Sequence, residues 1–371
     1  MNNKDDLLKN YIESQKRQTQ IIEETTGRKR KSSSDFVRTE DLIEEINKPV
    51  RVGDIYKTSE ANKYVKKATD ISEYNPQKGL ELCSKAIALD STNKEAYYLK
   101  GIILDLEYSS PKAALEDFSK VINIDPTHYK GWYSRGICKK KLEDYKGAIE
   151  DYCEAIKQIS KVAKKDSEVF DIFYSIYINR GNAKQKLNDL QGSINDYNLA
   201  LKIDLSPSEH IQKYAELRGF PLPNNSLAYF NRGNSYTLLK DYQAALEDYK
   251  KAIDLTPDML YVGRLAEVYQ KIGLYREAIK YFNVVLEIQP NSEEVITQIR
   301  ECCNELGIDE MQVKYKSTED DESEEIIKRV RQNIVRRERI RMLEAKAIQK
   351  LRNLRPGNIN IPSMINKDIE Q

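Results

Sequence analysis

Histidine and cysteine are the side chains that most often carry catalysis or bind metal ions, and this chain of 371 residues has few of either. Its two histidines are His128 and His210, and neither has another histidine or a cysteine close by in the sequence. The five cysteines show no C-x-x-C spacing, which is typical of reduced thiols rather than of a zinc site or a disulfide framework. We therefore expect no catalytic residue, no metal and no cofactor.

Two further motifs have a chemical interpretation that their neighbouring residues exclude. Gly131 and Gly136 have the spacing of a phosphate-binding P-loop, but Ile137 and Cys138 follow where Lys and Ser or Thr are required. The sequence Asn224-Asn225-Ser226 is a glycosylation acceptor only in a secreted protein. The sequence thus predicts a protein without enzymatic activity.

The N-terminal residues and the overall charge favour a cytoplasmic protein without membrane contact. The opening MNNKDDLLKN lacks the apolar run of about 7–15 residues of a signal peptide, and no stretch approaches the ~18 apolar residues of a membrane span. Lys and Arg (60) balance Asp and Glu (59), so no global field favours nucleic acid or a membrane surface as the partner. Cytoskeletal, ciliary and nuclear residence stay open.

Four glycines recur at equivalent places in the chain. Aligning KEAYYLKGIILDL, YKGWYSRGICKKKL, YSIYINRGNAKQKL and SLAYFNRGNSYTLL puts Gly101, Gly136, Gly181 and Gly233 in one column. A glycine inside a helix costs roughly 0.5–1 kcal/mol relative to alanine. Its repeated use therefore predicts the close approach of a second helix.

A second helix is predicted after each glycine. Small, aromatic and small residues recur there at i, i+4 and i+7, which is one stripe of a helix. Three such stripes are Ala114, Phe118 and Val121, then Ala148, Tyr152 and Ala155, then Ala245, Tyr249 and Ala252. Pro126, Pro257 and Pro290 end their units, because proline lacks an N–H and disfavours helix before it.

These features, in units of about 34 residues, resemble the tetratricopeptide repeat. The resemblance implies an all-α fold, a right-handed superhelical solenoid of antiparallel helix pairs over residues 58–308 with helical or disordered tails. Six repeats are predicted, at about 60–93, 94–128, 129–160, 174–205, 226–258 and 259–292, with a capping helix at 293–306. Insertions around 161–173 and 206–225 interrupt the period.

The resemblance also implies that the first helix of each pair lines an inner groove that holds a protein segment. Repeats two and three offer an apolar shelf flanked by lysines, which suits a partner with apolar anchors and acidic flanks. Repeats four and five offer paired amides that resemble the asparagine ladder of family members that bind extended chains. The predicted groove residues are Tyr98, Ile102, Lys130, Tyr133, Ile137, Asn179, Asn182, Phe230, Asn231 and Asn234.

Each part of this groove has a structural alternative. Tyr98 and Tyr133 could turn inward between repeats, and the asparagines could be solvated or bond to local carbonyls. A carboxylate clamp of the kind that binds chaperones is disfavoured, because the sixth repeat has Gly263 and Glu267 where that clamp needs Lys and Arg.

The segments that flank the repeats differ from them in charge. Residues 1–57 are predicted to form a polar tail with short helices near 4–25 and 39–47, and Arg28-Lys29-Arg30-Lys31 resembles either an import signal or a solvated linker. An acidic linker at 309–325 precedes a basic helix at 326–354 and a tail at 355–371. That helix would bind an acidic filament, nucleic acid or a calmodulin-like groove, or else pack on the last repeat. Its basic residues are Lys328, Arg329, Arg331, Arg336, Arg337, Arg339 and Arg341.

The leading interpretation is a protein-binding adaptor or scaffold that holds a partner segment in its groove. The alternative is a structural subunit of a cytoskeletal or ciliary, microtubule-associated assembly that docks through the basic helix. A chaperone cofactor and an RNA-binding repeat array are both disfavoured, the latter because basic residues form no continuous column along the groove.

Overall fold

The computed structural model describes residues 52–162, 167–203, 224–309 and 321–353. Within these ranges the regular structure comprises fourteen α-helices and no strand, which confirms the predicted all-α array of helix pairs. The helices are α1 (Val52–Ser72), α2 (Pro76–Leu89), α3 (Lys94–Leu106), α4 (Pro111–Ile124), α5 (Tyr129–Lys141), α6 (Tyr145–Val162), α7 (Ser167–Lys186), α8 (Leu190–Leu201), α9 (Ser226–Leu238), α10 (Tyr242–Leu255), α11 (Met259–Lys271), α12 (Tyr275–Ile288), α13 (Glu293–Leu306) and α14 (Asp321–Asn353). The helices predicted near 4–25 and 39–47 and the basic run Arg28–Lys31 lie outside the described residues.

The chain divides into two compact units, residues 1–103 and 104–371. In the first unit, α1 packs against α2, and Ala61, Ala86 and Ala96 share one buried cluster. In the second unit, each helix from α4 to α12 packs against the next helix along the chain. The helices α4, α10 and α12 each end just before the proline that was predicted to stop them.

The turn inside each pair from α5 to α12 has one residue in the left-handed region. Glu143, Asn188 and Lys240 each have φ of 63°, and Gly273 has φ of 79°. Aspartates follow the first three of these residues, and each accepts a hydrogen bond from a backbone N–H in the first turn of the next helix. The left-handed residue turns the chain back, and the aspartate satisfies an N–H that the helix itself leaves unpaired.

The predicted close approach at the repeated glycines is confirmed in the second unit. A Cβ atom added to Gly136, Gly181 or Gly233 would lie 2.7, 2.6 or 2.9 Å from a ring carbon of the tyrosine on the paired helix. These tyrosines are Tyr152, Tyr197 and Tyr249, and each is at most 1% exposed. Glycine therefore makes room for a buried aromatic ring, and this contact sets how closely the two helices of a pair approach.

The first predicted insertion is taken up in part by longer helices, since α6 extends to Val162 and α7 begins at Ser167. Of the second insertion, around 206–225, only Asn224 and Asn225 are described. Asn224 donates a hydrogen bond to the Thr256 hydroxyl (2.9 Å), and its backbone carbonyl accepts one from the Tyr174 hydroxyl (3.4 Å). The end of this insertion is therefore attached to α7 and to the residue that follows α10.

The last helix, α14, begins earlier than predicted, and its first half follows the predicted alternative in which the helix packs on the repeats. It starts at Asp321, inside the segment predicted to be an acidic linker, and its first half packs against α12. Ile326, Ile327 and Val330 are buried in the same cluster as the cores of the last two helix pairs. The acidic residues at its start suit the positive end of the helix dipole.

Three of the arginines predicted to bind a partner contact the chain's own repeats instead. Arg329 donates to the backbone carbonyl of Asp254 (2.7 Å) in the last turn of α10, and Arg331 donates to that of Glu287 (3.2 Å) in the last turn of α12. Arg337 pairs with Asp258 (2.7 Å), which caps α11. Carbonyls at a helix C-terminus carry partial negative charge and lack partners in the helix, so arginine is well suited to them.

The docking of α14 predicts different effects for two valines on the same helix. Val330 is 0% exposed and Val335 is 63% exposed. We expect Val330→Ala to lower the free energy of unfolding by about 1–2 kcal/mol, since buried methyl groups are lost and a cavity is left. Val335→Ala should change it by less than about 0.5 kcal/mol. Urea unfolding followed by circular dichroism measures both, and equal effects would contradict the docked position of α14.

Candidate functional site

The first helices of successive pairs in the second unit form a layer, which we call the first-helix layer: α5, α7, α9 and α11. Within it, α5 contacts α7 and α7 contacts α9. The rings of Phe230 on α9 and Tyr261 on α11 are stacked, with centroids 4.5 Å apart. Eight of the ten predicted groove residues lie on α5, α7 and α9. The other two, Tyr98 and Ile102, lie on α3 in the first unit and are partly buried.

Two of the four residues of the predicted apolar shelf, Tyr133 and Ile137, lie on α5. Tyr133 and Ile137 are partly buried and pack on the cluster around Tyr152, with the two tyrosine rings 6.0 Å apart. Lys130 is partly buried as well. The ring of Tyr133 therefore packs inward while some of its surface stays accessible.

Asn179 on α7 is held by its neighbours in the layer. Its amide donates to the Tyr133 hydroxyl (3.1 Å) and to the Ser175 carbonyl (2.9 Å), and its carbonyl oxygen accepts from the Lys140 ammonium (2.6 Å). Burial, together with the nearby charge of Lys141, lowers the pKa of Lys140. The expectation that Asn179 clamps a partner needs correction, because its donors and its acceptor already have partners within the chain.

Asn182 on α7 and Asn234 on α9 have a different environment. The Tyr197 hydroxyl donates to the Asn182 carbonyl oxygen (2.7 Å), and the Tyr249 hydroxyl donates to that of Asn234 (2.8 Å). Burial raises the pKa of Tyr249 to about 12, so this hydroxyl keeps its proton at neutral pH. Both asparagines are partly exposed, and within the described residues their amide N–H groups have no acceptor. Each tyrosine thus fixes the carbonyl side of an amide whose N–H side has no acceptor among the described residues.

Phe230 and Asn231 were predicted to line the groove, and the structure places both in the packing between repeats. Phe230 is 8% exposed, between the rings of Tyr249 and Tyr261. Asn231 is 9% exposed, and its side-chain nitrogen has no acceptor in the described part of the chain. In the preceding repeat the equivalent amide, that of Asn179, donates to Tyr133. Here Ile178 occupies the place of that tyrosine and offers no oxygen.

Two other kinds of site are absent from the described residues. No group of three or more His, Cys, Asp or Glu side chains is arranged to hold a metal ion within those ranges. No helix among them is long and apolar enough to span a lipid bilayer.

Comparison with family models identifies four segments of the second unit as tetratricopeptide repeats: residues 129–161, 174–207, 226–259 and 261–292. Each matched segment covers one helix pair from α5 to α12, apart from the last residue of α6 and the first residues of α7 and α11. These four segments are tetratricopeptide repeats. No curated protein sequence matches the chain.

Several solved structures align with this chain at low sequence identity. PilW, described as a type IV pilus biogenesis factor, aligns with a TM-score of 0.50 and 14% identity over 64% of this chain and 97% of its own. Pseudomonas aeruginosa PilF aligns with a TM-score of 0.49 and 13% identity, over 67% and 99% respectively. YrrB, titled a TPR protein with an unusual peptide-binding site, aligns at 0.43 and 15%, over 59% and 97%. At such identities the likeness shows the fold alone.

The tetratricopeptide repeats also contain buried ion pairs that the sequence analysis missed. In three pairs, an arginine on the first helix donates two hydrogen bonds of 2.6–2.9 Å to an aspartate sixteen residues later on the second helix. These pairs are Arg135–Asp151, Arg180–Asp196 and Arg232–Asp248, and each aspartate is at most 2% exposed. The signal was present in the sequence, since arginine precedes three of the aligned glycines and aspartate precedes the tyrosine that contacts each of them.

Each of these arginines also contacts the preceding repeat. The third guanidinium nitrogen, Nη1, donates to a side chain on the second helix of that repeat. The acceptors are Ser119 for Arg135, Cys153 for Arg180 and Asn198 for Arg232. An aromatic ring from the arginine's own helix lies 4.8–5.5 Å from each guanidinium carbon, and these rings are Trp132, Tyr177 and Tyr229. The arginines therefore tie successive repeats together, and this fixes the positions of the first helices that carry Asn182 and Asn234.

Proposed function

We propose that this chain is a protein-interaction scaffold whose first-helix layer holds an extended segment of a partner protein. Its repeat family and its fold fit an interaction module, and the layer supplies the binding surface. The observation that carries the proposal is the repeated hydrogen bond from a buried tyrosine to Asn182 and to Asn234.

The chemistry of the two amides favours main-chain recognition. An extended peptide presents backbone carbonyls at regular intervals, and a carboxamide N–H is a donor that suits any of them whatever the side chain. Because a buried hydroxyl fixes the orientation of each amide, little rotamer entropy remains to be lost on binding. The partly exposed Tyr133 and Ile137 on α5 supply an apolar surface that would add side-chain preference.

Peptide selection against the full chain tests this proposal. Peptides selected from a displayed random library would be synthesised, and their affinity measured for the wild type and for the double variant Asn182→Ala/Asn234→Ala. We expect the double variant to bind about tenfold or more weakly, because each lost backbone hydrogen bond contributes roughly 0.5–1.5 kcal/mol. Asn195→Ala is the matched control, because Asn195 is exposed on α8, outside the first-helix layer. The affinity of this variant for the peptides should equal that of the wild type. Equal affinities for all three proteins would refute the proposal.

The tyrosine hydroxyls give a sharper prediction, because one of the three has no asparagine partner. We expect Tyr197→Phe/Tyr249→Phe to weaken peptide binding about three- to tenfold, since the two amides lose the bonds that orient them. Tyr152 is the equivalent residue opposite Ile137, and its buried hydroxyl has no partner in the described residues. Tyr152→Phe should leave affinity unchanged and raise the free energy of unfolding by up to about 1 kcal/mol, since it removes an unsatisfied buried group.

Isothermal titration with a selected peptide measures the affinities, and urea unfolding measures the stabilities. If Tyr152→Phe weakened binding as much as the other pair of substitutions, the orienting role of the tyrosines would be wrong. Binding by Asn182 and Asn234 would then not depend on the hydrogen bonds from Tyr197 and Tyr249.

A further inference from the structure

The second half of α14 extends beyond its contacts with the repeats. The last contact with a named partner is the ion pair between Arg337 and Asp258. Every side chain described after Arg337 is exposed; these are Glu338, Arg339, Met342, Leu343, Ala345 and Lys346. Residues 338–353 continue as helix for roughly 24 Å at 1.5 Å per residue.

A helix of this length without packing is marginally stable in water, because most helical stability in proteins comes from burying an apolar face. The exposed part of α14 has apolar side chains available for this purpose. Val335, Met342 and Leu343 are 63%, 58% and 44% exposed, and their i, i+7 and i+8 spacing puts them on one face. Such a face on an unpacked helix is typical of a binding element.

The charge of this segment indicates the kind of partner. Beyond the ion pair of Arg337 with Asp258, residues 338–353 contain five basic side chains (Arg339, Arg341, Lys346, Lys350 and Arg352) and two acidic ones (Glu338 and Glu344), a net charge of +3. A second copy of the chain is disfavoured as the partner. If two copies of this helix paired antiparallel about the midpoint of Val335 and Leu343, Arg339 of one copy would face Arg339 of the other, and the two like charges would repel. Nucleic acid would leave the apolar face exposed to water.

We propose that residues 335–353 of α14 dock an acidic amphipathic helix from another protein. Apolar residues of that helix pack on Val335, Met342 and Leu343, while its carboxylates pair with arginines and lysines beside them. This contact is separate from the first-helix layer, so the chain can hold one protein segment in its repeats and attach to another protein through its last helix.

A designed peptide tests the proposal on the full chain. The probe is a fluorescein-labelled helical peptide of about 20 residues, with leucines on one face and glutamates on the others. We expect it to bind at least tenfold more tightly than a scrambled peptide of the same composition, because only the ordered peptide presents an apolar face. Binding should weaken as salt is raised, as expected where charges meet at an interface.

Charge-matched variants locate the site. We expect Arg339→Glu/Lys346→Glu to weaken binding about tenfold or more, and Met342→Ser/Leu343→Ser about fivefold. Lys328→Glu makes the same kind of charge change at an exposed position of the docked half of α14, so affinity should change less than about twofold. The layer variant Asn182→Ala/Asn234→Ala should bind the probe like the wild type, which separates this result from that of the proposed function.

Four outcomes would overturn the proposal. One is equal binding of the ordered and scrambled peptides, and another is a loss from Lys328→Glu equal to that from Arg339→Glu/Lys346→Glu. The third is tighter binding of single-stranded poly-uridine than of the peptide, unaffected by Met342→Ser/Leu343→Ser, which would indicate a nucleic-acid surface. The fourth is a dimer in light scattering that the serine substitutions dissociate, which would identify a second copy of this chain as the occupant.

Discussion

Replacing Gly181 by leucine should lower the free energy of unfolding by about 3 kcal/mol or more, and Gly181→Ala by about 1–3 kcal/mol. The reason is steric, since a Cβ atom at this position would lie 2.6 Å from a ring carbon of Tyr197, which is fully buried. Alanine has the better helix propensity by roughly 0.5–1 kcal/mol. A loss of stability therefore means that the clash outweighs the gain in propensity.

Gly263 on α11 is the matched control for this substitution. It too lies inside a helix, but a Cβ atom added there would meet no heavy atom within 4 Å. Gly263→Ala should therefore raise the free energy of unfolding by roughly 0.5–1 kcal/mol. Urea unfolding followed by circular dichroism distinguishes the two cases, and the same sign for both alanine variants would show that the glycine contact with Tyr197 does not govern stability.

The glycine column could be predicted from the sequence because its physical reason is local. A glycine repeated inside a helix needs a close neighbour, and the small and aromatic stripe of the next helix supplies one at a fixed distance along the chain. The ends of α4, α10 and α12 were predictable on similar grounds, since proline acts on the residues next to it. Features that repeat with the period of the chain are thus accessible without coordinates.

The groove could be predicted only in part, because the environment of a side chain in this layer depends on the next repeat. Asn179 and Asn231 are equivalent residues of the same type, yet the first is held by Tyr133 and Lys140 while the second has an unpaired nitrogen. Phe230 is buried because Tyr261 of the following repeat stacks on it. A residue column drawn from one helix contains no information about such neighbours.

The arginines of α14 show the same limit at larger range. The sequence left two roles open for the basic segment, which were binding a partner and packing on the last repeat. In the structure, Arg329 and Arg331 donate to the carboxyl ends of α10 and α12, about 75 and 44 residues earlier in the chain. Whether an arginine binds a partner or caps a helix depends on where α14 lies on the repeats. The sequence pattern alone could not distinguish these two roles.

The ion pair of Arg180 and Asp196 leads to the second large effect. We expect Arg180→Leu to lower the free energy of unfolding by about 3 kcal/mol, near the lower end of the range for breaking a buried pair. The carboxylate of Asp196, 1% exposed, would keep only Lys184 at 2.9 Å as a charged partner. The loss would also remove the link from Arg180 to Cys153 in the preceding repeat.

The sixth repeat shows how this loss can be offset. There, Leu265 and Tyr281 occupy the places of the arginine and the aspartate, and both are buried. The double variant Arg180→Leu/Asp196→Tyr should therefore recover most of the stability lost by Arg180→Leu, because well-packed apolar residues can replace a buried ion pair at little cost. A double-mutant cycle in urea measures the coupling, which we expect to exceed about 1.5 kcal/mol. Additive losses would mean that the pair does not act as a unit. Arg180 and Asp196 would then each contribute to the free energy of unfolding independently of the other.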